Sequence, residues 1–118
     1  TWNLVVSHEL PRRDPDVITR VLRAVVRANR FIAERSSDAR AIIAKNTGID
    51  IGEIEGSWKN YNMKMSLDQS LILNLEDQAR WMLKREAGSA GRIPNFMDSI
   101  YAEGLKAADP AAVRIAGK

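Results

Sequence analysis

One stretch, SLDQSLILNLEDQARWMLKREA at residues 66–87, constrains the fold more than any other part of this 118-residue chain. Leu67, Leu71, Ile72, Leu75, Ala79, Met82 and Leu83 recur at the three- and four-residue spacing that gathers them on one face of an α-helix. Ser66, with Gln69 three residues on, reads as a capping box in which the hydroxyl accepts a backbone N–H and the amide reaches back. Asp68 in the first turn and Lys84 and Arg85 in the last complement the helix dipole, and Gly88 suits the left-handed position that ends a helix. Such a segment must lay its stripe against other apolar surface, so helix packing is the expected basis of the core. Leu73 and Trp81 fall off the stripe on the polar side, which leaves them either exposed or covered by a second body.

The same punctuation recurs along the chain. Asp14, Pro15 and Asp16 combine an N-cap, a proline at the first helical position and an acid at the positive end of the dipole, so a helix is expected from there to about Glu34. Val17, Ile18, Val21, Leu22, Val25, Ala28 and Ile32 would be its buried face, with Arg20, Arg23, Arg27 and Arg30 on the opposite arc. A second helix is expected from Ser36 or Ser37 to Asn46, Thr47 and Gly48, with Ala39, Ile42 and Ile43 inward. A third begins at Asp50, paired with Glu53 as a capping box and stapled by Ile49 onto Ile54. Gly56 weakens it by about 1 kcal/mol relative to Ala, so it should end near Asn60. Trp58 and Tyr61 are expected to anchor it in the core, with an aromatic platform for a ligand as the alternative.

Beyond residue 87, GSAGR at residues 88–92 reads as a loop. Pro94 and Asn95 lead into a short helix from Phe96 to about Leu105, with Phe96, Met97, Ile100, Tyr101 and Leu105 apolar, and Asp109 with Pro110 starts one last turn. At the other end, TWNLVVSH at residues 1–8 reads as a strand, with Trp2, Leu4 and Val6 on one face and Val5 on the other. Only the weak alternation of residues 61–65 offers it a partner, so its partner strands are expected in sequence outside this chain. The fold class expected is mainly α: one N-terminal strand over residues 1–8, then four to five helices within residues 14–118, all in one partial domain spanning 1–118.

The chemical inventory is short. There is no cysteine, which removes disulfides, thiolate metal sites and cysteine nucleophiles from this chain. His8 is the one histidine, so no multi-histidine metal site can form, and its expected place is a surface or hinge position at the end of the strand. Carboxylates act as caps (Asp14, Asp50, Asp109) or as helical partners of bases, such as Glu76 with Arg80. Neither phosphate-binding glycine signature occurs. No catalytic residue, metal ligand or cofactor is therefore expected. No apolar run approaches the roughly 20 residues of a membrane span. The opening residues carry no signal-peptide pattern, which says nothing about targeting in a chain that opens on Thr. The net charge of +3 and a pI near 9.5 raise nucleic acid as a partner. Against it, the arginine arc carries no base-reading Asn or Gln, Asn29 lies off it, and no helix-turn-helix frame is present, so a solvated face is expected.

The order of segments resembles a known family. A strand, then TRVLRAVVRANRFI, DARAIIAKNTGID, SWKNYNMKMSLDQSLILNLEDQARWMLK, IPNFMDSIYAEGL and PAAVRI look like the C-terminal part of a bacterial ABC-importer solute-binding protein. The similar subfamily handles nitrate, taurine, aliphatic sulfonates and thiamine-pyrimidine precursors. The strongest blocks are SLDQSLILNLEDQARW and IPNFMD, and the similarity runs over nearly the whole chain. The resemblance implies a two-lobed periplasmic protein of type II architecture, with residues 1–8 leaving the hinge and the helices completing lobe one. It implies a small-molecule solute and ABC permease subunits as partners, no enzymatic activity and no nucleic acid. Most ligand contacts in such proteins come from earlier segments, so no binding residue is carried over; Trp2 and Ser7, nearest the implied hinge, are the first positions to test, with strand packing the expected role of both. Association between copies through residues 1–8 is a further expectation. The competing classes are an enzyme of the same architecture that makes the thiamine pyrimidine and a basic all-α nucleic-acid binder.

Overall fold

The computed structural model describes residues 2–85 and 91–117. These residues are mainly helical: six α-helices, three short 3-10 turns and one two-residue parallel strand pair. A one-turn helix α1 (Leu10–Arg13), which the sequence reading did not anticipate, is followed at once by α2 (Pro15–Glu34). The start of α2 is as expected, with the Val17 N–H donating to Asp14 Oδ1 at 3.1 Å.

Its buried face is narrower than expected. Ile18 and Leu22 are buried and Val26, Asn29 and Ile32 half-buried, whereas Val21 and Val25 remain 42 % and 36 % exposed and Ala28 is exposed too. The partner decides this: α6 (Glu103–Ala108) is the element most closely packed on α2, and it reaches the line through Ile18 and Leu22. A Cβ on Gly104 would stand 3.0 Å from Ile18 Cγ2 and 3.1 Å from Leu22 Cδ1, so the missing side chain is what lets the two helices meet. Arg23 ties the far end of the seam, its guanidinium donating to the Ala107 carbonyl at 3.4 Å.

Helix α3 (Ser36–Thr47) ends as expected on Gly48, which takes the left-handed conformation at φ 73°. Ala39 is buried and Ile43 half-buried, but Ile42, expected inward, is 52 % exposed. Helix α4 (Ile51–Ser57) continues into a 3-10 turn, Trp58–Asn60, and Asp50 accepts the Gly52 N–H at 2.8 Å. Ile54 is buried, while Ile49, its expected staple, stays 47 % exposed.

The long helix α5 (Gln69–Arg85) begins later than its capping-box pattern indicates. Leu67–Asp68 forms strand β1 and pairs in parallel with β2 (Val113–Arg114), Leu67 opposite Val113. That pairing takes Leu67 out of the helix and moves the cap to Asp68. Its Oδ1 accepts the Ser70 N–H at 3.0 Å and also the Ser70 hydroxyl, while Ser66 donates to Oδ2 at 3.3 Å. Ile72 is buried and Leu71, Leu75, Ala79 and Leu83 half-buried, but Met82 is 56 % exposed. The expected end at Gly88, and with it most of the 88–92 loop, lies outside the described residues.

The helix expected from Phe96 to Leu105 is split. Asn95 caps a 3-10 turn, Phe96–Ser99, accepting the Met97 N–H at 3.3 Å, and Ile100 is then extended (φ −97°, ψ 120°) before α6 begins. The break turns Ala102, Gly104 and Leu105 into the interior together. Asp109 precedes the final 3-10 turn, Pro110–Ala112, without capping it through its side chain.

The core comprises Ile18, Leu22, Leu67, Ile72, Ala102, Leu105, Ala112 and Ile115; Ala39 and Ile54 are buried outside it, on α3 and α4. The radius of gyration is 17.6 Å, against about 13.5 Å for a compact domain of this length. Residues 2–7 correct the expected strand: they form no ladder, and Trp2 and Val5 are 96 % and 84 % exposed. A strand exists only where a neighbour supplies hydrogen bonds, and among the described residues that occurs at β1 and β2 alone. Val6 is the member of this arm that reaches the core.

Candidate functional site

An open groove of about 630 Å³ lies between the C-terminal half of α2, residues 58–65 and residues 109–114. Such a volume lies within the range of small-ligand sites. Helix α2 contributes Val26, Asn29, Arg30 and Ile32. The stretch after α4 contributes Trp58, Tyr61 and the alternating Met63, Lys64 and Met65, and the turn into β2 contributes Asp109 and Arg114. The lining therefore holds three cations and one carboxylate among apolar, amide and hydroxyl groups. Arg30 and Lys64 have no carboxylate within 4.0 Å among the described residues. Arg114 spends one donor on the Ala111 carbonyl at 3.4 Å.

Trp58 is held from behind. The Arg40 guanidinium lies 5.5 Å from the Trp58 ring centroid; its Nη1–H donates to Ser36 Oγ at 2.9 Å, and its Nε stands 3.7 Å from Glu55 Oε1. Trp58 is half-buried and Tyr61 is 57 % exposed. Neither anchors the core as expected; both line the groove.

The arginine arc does not act as one surface. All four members are exposed, but Arg23 bonds the end of α6 and Arg30 turns into the groove. Trp2 stands in solvent, and the Ser7 carbonyl accepts the Leu10 N–H at 3.1 Å at the entry to α1. His8 is exposed in the same turn. Among the described residues, no three His, Asp or Glu side chains group as metal ligands. The expected Glu76 and Arg80 pair is present at 2.9 Å, with Asp77 also on Arg80 at 2.7 Å. The Ser70 hydroxyl, then the Ser70 N–H, hold the Asp68 carboxyl below its ordinary value.

The groove was not legible as a site because its walls come from three separated segments. The nearest signal was the alternation of residues 61–65, whose Met63, Lys64 and Met65 contribute to the lining. No family model, curated protein or solved structure matches the chain. Among the described residues, no helix is long and apolar enough to cross a membrane.

Proposed function

We propose that this chain is the lobe-completing, C-terminal helical segment of the solute-binding component of an ABC importer, of the type that takes up nitrate, taurine, aliphatic sulfonates or pyrimidine precursors. The reading starts from the order of sequence blocks, and one structural observation supports it most. Residues 2–5 carry Trp2, Leu4 and Val5, β-forming residues with apolar side chains, yet they form no regular structure and are exposed. A strand crossing between two lobes has that composition and finds its ladder only in the other segments of the protein. The off-stripe residues Leu73 and Trp81, 56 % and 57 % exposed, are a second face of the same kind.

In this reading the protein works outside the cytoplasmic membrane and without catalysis. Solute contacts to both lobes shift the population toward a closed form, and the closed form delivers its cargo to the permease. The test is calorimetric titration of the intact protein with nitrate, taurine, an alkanesulfonate and an aminopyrimidine precursor. Saturable one-to-one binding of one class, with the solute recovered unchanged, is the expected result. Failure to bind any of the four, or conversion of the solute, overturns the proposal.

A further inference from the structure

We propose that the groove between α2, residues 58–65 and residues 109–114 is a binding site for a small organic anion with an apolar body the size of one aromatic ring. The inference stands on the groove itself and not on the importer reading. Its first support is charge: the lining holds Arg30, Lys64 and Arg114 against a single carboxylate, Asp109, and neither Arg30 nor Lys64 is paired with an acid among the described residues. An anion entering here gains charge-assisted hydrogen bonds without displacing an existing ion pair. The second support is the aromatic wall. Trp58 is braced from α3 by Arg40, whose guanidinium lies 5.5 Å from the ring centroid, so the indole is positioned before any ligand arrives. Tyr61, also on the groove wall, is 57 % exposed and offers a ligand one more ring face. The third is size, since about 630 Å³ accommodates one substituted ring with its anionic group.

The test uses the intact protein and three probes: 4-methylbenzoate, its neutral counterpart 4-methylbenzamide, and acetate, which has the charge without the ring. Binding is read by calorimetry and by Trp58 emission in a Trp2→Phe/Trp81→Phe background, because Trp2 and Trp81 do not line the groove. 4-Methylbenzoate is expected to bind saturably and to shift the emission, with the amide and acetate each about tenfold weaker. Arg30→Gln/Lys64→Gln should weaken 4-methylbenzoate by about tenfold and leave thermal unfolding unchanged, because both side chains are exposed. The proposal is overturned by absence of saturable 4-methylbenzoate binding, by equal affinity for the amide, or by unchanged affinity in the double variant.

Discussion

The first half of α2 and the last half of α5 carry apolar stripes of similar regularity, and the molecule treats them differently. Along α2, Ile18 and Leu22 are sealed under α6 because Gly104 presents no side chain at the crossing. Along the last half of α5, Leu83 is half-buried, Met82 is 56 % exposed and Trp81 is 57 % exposed. This end carries local pairs, Arg80 between Glu76 and Asp77 and Arg85 4.5 Å over the Trp81 ring, and Leu83 lies against Gly91. Exposed pairs of this kind contribute about 0.3–0.5 kcal/mol each, whereas a sealed Ile contributes several times more. Periodicity thus names the face that seeks burial, and only the tertiary partner decides whether burial occurs.

The contrast can be broken by substitution. The largest effect is expected from Ile18→Ala, which empties the seam and should lower unfolding stability by about 2–5 kcal/mol, measured by denaturant titration. Gly104→Ala sets a methyl 3.0 Å from Ile18 Cγ2 and 3.1 Å from Leu22 Cδ1, so those side chains must give by a few tenths of an ångström. Against that stands a helix-propensity gain of about 1 kcal/mol, and a net change within about 1 kcal/mol of the parent is expected. A smaller effect belongs to Asp68, which caps the start of α5. Its folded carboxyl is held below the ordinary value of 3.8, so its contribution is complete above that pH and is lost as pH falls through the lowered folded value. Asp68→Asn should therefore melt slightly earlier than the parent at pH 7, and the two should converge in strong acid. The smallest effect is expected from Trp81→Gln, within about 0.5 kcal/mol in this chain. A large loss there would mean that the far half of α5 has a partner after all.

Features governed by neighbouring residues were legible in the sequence. The Asp14 cap, the Pro15 start, the Asp50 cap and the Gly48 stop each depend on a few adjacent backbone groups, and each stands where the pattern put it. Features governed by distant residues were not. Ser66 has the chemistry of a cap, but pairing of Leu67 with Val113 passes the task to Asp68. The orientation of α2 depends on α6, and the helix expected after Phe96 breaks at Ile100 so that Ala102, Gly104 and Leu105 can enter the core. The groove is the extreme case, since Arg30, Lys64 and Arg114 share no local pattern that would group them.

The proposed function makes the exposed surfaces contact surfaces and the α2–α6 seam self-sufficient. Amide hydrogen exchange, compared between this chain alone and the longer protein that the proposed function implies, tests that most directly. The account predicts similar protection of Ile18, Leu22 and Leu105 in both, with residues 3–6 exchanging freely in the isolated chain and strongly protected in the intact protein. Equally fast exchange of residues 3–6 in both would contradict it.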